Sequence, residues 1–223
     1  MNSWQKKEEV IRYFFNFVPI LKKDMDISEN LINTLKENNQ TLWEYALNQE
    51  MERSGRTREE LREQMEQSLS VMERSAQKAR REPVRSVSGL TGGNACLYEQ
   101  YRQEGKSLLG EVASLAVGMA LSCSEINASM QCIVACPTAG SCGIVPAAVL
   151  ACAQSRGLDR ECMVNALFTA SAIGIIIGSR ATVSGAEGGC QAECGAAEHQ
   201  FQYQNHGGYL QPQAAGYHEK LRF

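Results

Sequence analysis

The chain has 223 residues, 43% of them hydrophobic, which is enough to cover a sizeable core. Its 22 Lys and Arg against 25 Asp and Glu leave a net charge of −3, with the cations concentrated in the first half, and this excludes nucleic acid as an expected partner. Nine cysteines form an odd set, and the opening "MNSWQKKEEVIRYFFNF" carries no readable export signal, so thiols or metal ligands in a reducing cytoplasm are expected instead of a disulfide framework.

Residues 4 to about 81 read as charged amphipathic helix. Apolar residues recur at three and four positions in "LWEYALNQEM", and "SGRTREELREQMEQSLSVMERSAQKARRE" is a strong helix former. Thr57 stands three residues before Glu60, which predicts a capping box, and Pro83 closes the helix. Residues 1–83 are therefore expected to form a charged helical region that packs on a core or a partner. From 84 to 197 the composition turns to Gly, Ala, Ser and Cys, small residues that let helices approach closely. Helices are predicted at 95–104, 111–128, 145–155 and 160–178, with one more starting after Gly185. β-branched clusters are few, so the fold class is all-α, a helical bundle with Gly-rich loops and little β structure. The most apolar stretch, 163–178, is shorter than the roughly 18 residues of a membrane span and contains Asn165, so it predicts a buried core helix and no membrane association. Residues 198–223 hold all three histidines, five glutamines and five aromatics without any period, and a poorly ordered tail is expected there.

Three loops could carry chemistry. In "SVSGLTGGNA", glycines free backbone N–H groups beside a helix start, making an anion-binding nest suited to a carboxylate or phosphate, with Ser88, Thr91 and Gly92 as candidate contacts. No Gly-Lys-Ser/Thr follows, so it is not a Walker loop. In "ACPTAGSCGIVP", Pro137 fixes the entry, Thr138 and Ser141 supply hydroxyls, and Gly140 lets backbone approach a ligand. Cys136 and Cys142 are six apart across an irregular loop, which matches neither redox nor zinc spacing, and they read as small buried residues. In "SGAEGGCQAECG", Cys190 lies behind two glycines at a helix start, where a thiol is acidified and makes a good thiolate ligand. A zinc site from Cys190, Cys194, His199 and His206 has suitable residue types but no finger spacing.

Taken in series, "SGLTGGNA", "NASM", "PTAGSCGIVPA" and "SGAEGGCQAE" resemble the α chain of the iron-sulfur-dependent L-serine dehydratases over residues 84–196. The resemblance implies a [4Fe-4S] cluster held by three cysteines, of which Cys190 matches the first, and loss of water and then ammonia from L-serine to give pyruvate. It implies that "PTAGSCG" closes over a small polar amino acid, with Thr138 and Ser141 hydrogen-bonding it, and that Cys136 and Cys142 are not cluster ligands. Glu187 is the nearest candidate for the base that takes the α-proton. A β chain or β-type domain is the implied partner, and a homo-oligomer is compatible with it. The chain has no lysine between Lys106 and Lys220, which argues against a pyridoxal phosphate route to the same elimination. The family's Cys-Asp-Pro and Pro-Cys segments do not follow "GGCQAE", and the tail from Glu198 stands there instead. A chain truncated or frameshifted near Ala197 is therefore the expectation, with a non-catalytic fragment as the rival reading.

Overall fold

The computed structural model describes residues 29–180 and residue 194. Seven helices form the described part: α1 (Glu29–Glu37), α2 (Leu42–Ser54), α3 (Arg58–Arg81), α4 (Asn94–Gln103), α5 (Glu111–Ala128), α6 (Ile144–Arg156) and α7 (Arg160–Arg180). The only β feature among the described residues is one isolated bridge, Arg85 to Gly92, so the molecule is all-α there as the sequence predicts.

The helix ends follow local chemistry. α2 starts at a Thr41–Glu44 capping box and stops at Gly55, which takes φ 68°, a left-handed conformation that costs glycine nothing. α3 starts at the predicted box, where Thr57 Oγ1 accepts from Glu60 N at 3.2 Å and Thr57 N donates to Glu60 Oε2 at 2.9 Å. The expected helices at 95–104, 111–128, 145–155 and 160–178 appear within two residues of those bounds. The helix expected after Gly185 lies outside the described residues, apart from the helical residue Cys194.

α3 is the axis of the bundle. Its buried Leu61, Met65, Leu69, Met72, Ala76 and Ala79 recur at three and four positions, one stripe of a 3.6-residue period, and most of its charged residues lie off that stripe. The stripe packs on α5, where Cys123 and Met119 join the same core. Ser122 stitches the two helices, donating to Ser75 O at 2.6 Å and accepting from Ala79 N at 3.0 Å, so its buried hydroxyl is fully paired. The helices on both sides of Pro83 thus share one hydrophobic core. α7 crosses the other side, with Val164, Leu167 and Phe168 buried in that core. The stretch Arg160–Ile177 is longer than the sequence reading allowed and passes, by length and composition, as a membrane span, with mean hydropathy 1.4; 56% of it is buried inside the fold. Arg160, bonded to Glu73 at 3.0 Å and to Ser70 Oγ at 2.7 Å, ties its first turn to α3.

Candidate active site: two glycine-rich loops on one helix end

The last turn of α5 holds both candidate loops. On one side, Val87 N donates to Ala128 O at 3.1 Å, and Glu125 Oε1 accepts from Asn94 N at 2.6 Å and Ala95 N at 3.2 Å, the first N–H groups of α4. On the other, Asn127 Nδ2 donates to Ala139 O at 2.9 Å, inside "PTAGSCG". Three short motifs that are scattered in sequence, "SGLTGGNA", "NASM" and "PTAGSCG", therefore meet at one place.

The first loop is a closed turn. Ser86 N donates to Thr91 O at 2.9 Å, Thr91 N donates to Ser86 Oγ at 3.2 Å, and Ser88 Oγ lies 3.1 Å from Ser86 Oγ. Ser88 and Thr91 are exposed. Gly92 is held by geometry: its φ is 130°, and a Cβ there would stand 2.1 Å from Val84 O. The sequence reading of this loop as an open anion nest needs correction. The N–H groups of Asn94 and Ala95 that would receive an anion already bind the chain's own Glu125 carboxylate.

In the second loop Thr138 is half-buried and Gly140 is exposed. Ser141, 1% exposed, is turned inward: its Oγ donates to Cys136 O at 2.8 Å, accepts from Thr138 N at 3.3 Å and lies 3.1 Å from Thr138 Oγ1. Its hydroxyl braces the loop in this conformation, and Thr138 is the more exposed residue of the two. Ser141→Ala is therefore expected to cost about 1 to 3 kcal/mol of stability by leaving Cys136 O and Thr138 N unpaired, measured by denaturant unfolding. An unchanged unfolding midpoint would contradict the brace.

Gly143 lets α6 touch α5, because a Cβ there would lie 2.8 Å from Ala120 O and 3.2 Å from Ala120 Cα. Both neighbours are backbone, so neither can rotate away. Gly143→Ala should cost about 1 to 3 kcal/mol of unfolding free energy, and stability equal to wild type would contradict the contact.

The thiols near the loop are not acidic. Burial pushes Cys123 up to about 11 and Cys142 up to about 12, and burial with the neighbouring thiols pushes Cys136 well above the ordinary range. Cys136 and Cys142 are both buried, as their reading as small buried residues expects. Among the described residues no group of three or more His, Cys, Asp or Glu could hold a metal ion. Cys190 and Glu187, and the His199 and His206 of the zinc reading, lie outside the described residues; Cys194 is described and half-buried. What sequence reasoning missed is Glu125. The available signal was its isolation: it and Glu111 are the only charged residues in the 18 residues of α5.

The family model for the serine dehydratase alpha chain matches residues 37–199. The chain is 43% identical over 169 residues to the probable L-serine dehydratase α chain of Bacillus subtilis (strain 168), covering 76% of this chain and 56% of that one. It is 38% identical over 173 residues to the L-serine dehydratase α chain of Peptoniphilus asaccharolyticus, covering 78% and 59%. It is also 45% identical over 82 residues to the probable L-serine dehydratase α chain of Latilactobacillus sakei, covering 37% and 39%. The chain spans a little over half the length of the first two relatives. No solved structure matches it significantly.

Proposed function

The chain belongs to the serine dehydratase alpha chain family, and from that membership we propose that it works as the α chain of a cytoplasmic L-serine dehydratase, which converts L-serine to pyruvate and ammonia with a β chain as partner. The observation that carries the reading is the meeting of "SGLTGGNA", "NASM" and "PTAGSCG" at the end of α5. Two glycine-rich loops fixed on one helix end supply backbone and hydroxyl groups of the kind that bind a small polar amino acid.

The reaction removes the α-proton and the β-hydroxyl as water, leaving an enamine that tautomerises to the imine and is hydrolysed to pyruvate and ammonia, so one water is lost and one regained. Glu187 is proposed as the base at the α-carbon, and Thr138, with Ser88 and Thr91 across the helix end, as hydroxyl partners of the substrate. A [4Fe-4S] cluster with Cys190 among its ligands would supply the Lewis acid that makes the hydroxyl a better leaving group. Among the described residues no group of three or more His, Cys, Asp or Glu could hold it, so no step is derived through the cluster.

The experiment is anaerobic reconstitution with iron and sulfide in the presence of the β chain, followed by an assay for serine-dependent pyruvate. Pyruvate and ammonia in equal amounts, with a broad visible absorbance, are expected. Glu187→Gln should lower kcat by about a hundredfold or more without changing that absorbance. Absence of pyruvate under every condition rejects the reading.

A further inference from the structure

Glu125 is 8% exposed, and only one of its two oxygens is used. Oε1 receives the N–H groups of Asn94 and Ala95, whereas Oε2 is buried and has no hydrogen-bond partner among the described residues. It is the one buried side-chain polar atom among the described residues in that state. A carboxylate offers about four acceptor positions, and leaving a buried one empty carries a desolvation cost that a fold normally avoids.

Among the described residues no cation is bonded to Oε2. Arg80 and Arg102 are committed to Glu99, Lys78 Nζ donates to Gln131 Oε1 at 2.7 Å, and Arg85 Nη1 reaches Gly89 O at 3.4 Å. Glu125 nevertheless sits in the last turns of α5, the helix end that holds both loops, and bonds Asn94 just after Gly92 and Gly93. The position calls for a small N–H donor, preferably positive, and rejects an anion.

We propose that Glu125 Oε2 is the acceptor for the primary ammonium group of a small amino acid bound at this end of α5, an inference that rests on the dehydratase reading above. The start of α4 then reads the amino end of the ligand through Glu125, instead of its carboxylate through bare N–H groups. Entry requires the 86–93 loop to lift from α5, to which the Val87 N–Ala128 O bond ties it at 3.1 Å.

Glu125→Gln separates this role from simple capping. The amide oxygen still accepts from Asn94 and Ala95, while the amide NH2 now faces the ammonium position with donors against donors. Calorimetric titration and thermal shift on the full chain would use three probes: L-serine, ethanolamine, and 3-hydroxypropanoate, which is serine without its amino group. L-serine and ethanolamine are expected to bind the variant ten- to a hundredfold more weakly than wild type, in line with the worth of a charge-assisted hydrogen bond, and 3-hydroxypropanoate equally to both. Ethanolamine binding lost in the variant, with no serine binding to wild type, supports Glu125 and counts against serine as substrate. Serine binding that is equal in both proteins keeps the dehydratase reading and overturns the role of Glu125. No binding of either ammonium compound to wild type also overturns it. Should Glu125→Gln lose its helical circular dichroism, wild type alone decides: equal affinity for L-serine and 3-hydroxypropanoate overturns the proposal, and a tenfold preference for L-serine supports it.

Discussion

Replacing Gly92 by alanine is expected to cost about 3 kcal/mol or more of unfolding free energy, or to unlatch the 86–93 loop from the bundle, because two penalties fall on one residue. Its φ of 130° lies where L side chains are rarely found, and the new Cβ would stand 2.1 Å from Val84 O and 2.7 Å from Arg85 Cα. Both obstacles are backbone, so relief requires breaking the Arg85–Gly92 bridge. Gly89 in the same loop is the control: its φ is 73° but no atom lies within 4 Å of its Cβ position, so Gly89→Ala should cost only about 1 kcal/mol. Denaturant unfolding and amide exchange over residues 86–93 measure both effects. Equal losses for the two variants would show that the close approach does not matter.

Glu99 gives the second large effect. It is buried where α3, α4 and α5 meet and accepts from Arg80 Nε at 2.9 Å, Arg102 Nη2 at 2.7 Å and Gln103 Nε2 at 3.1 Å. Burial pushes its carboxyl up, but hydrogen bonds from Arg102 and Arg80, the Arg80 charge and the Gln103 bond together outweigh burial and hold it at about 2, below the ordinary 4.5. A carboxyl depressed in the folded state adds stability that is complete above the unfolded value and is lost as the folded form protonates. Stability should therefore fall between pH 4.5 and pH 2, and Glu99→Gln should flatten the share due to this group. Arg80→Met at neutral pH removes one of two cationic partners from a buried carboxylate that keeps Arg102, and is expected to cost about 1 to 3 kcal/mol. Urea unfolding as a function of pH tests both, and an Arg80→Met protein as stable as wild type would refute the assignment.

Much of the fold was legible in the sequence because its signals are local. The apolar spacing along 58–81, the Thr57–Glu60 box and Pro83 fix α3 before any partner is considered, and α5 emerges with the predicted bounds of 111 and 128. The loops were legible as well, since clustered glycines and hydroxyls have little other use between helices. Their roles were less so. Gly92 reads as a place for a ligand to approach, but what approaches is Val84 O, and Ser141 reads as a substrate contact although its hydroxyl is spent on Cys136 O.

The sequence by itself determined most of the helices, the Thr57–Glu60 cap and the class of the fold, because each depends on residues within a few turns of one another, and the four motifs taken in series carried the membership. Only the tertiary structure decided which hydroxyls are braces, which glycines are packing contacts, and that Glu125 plugs the N-terminus of α4 from 30 residues away. No local pattern encodes such a pairing. Whether a buried oxygen is satisfied depends on every element that folds around it, and that sum exists only once the helices have docked.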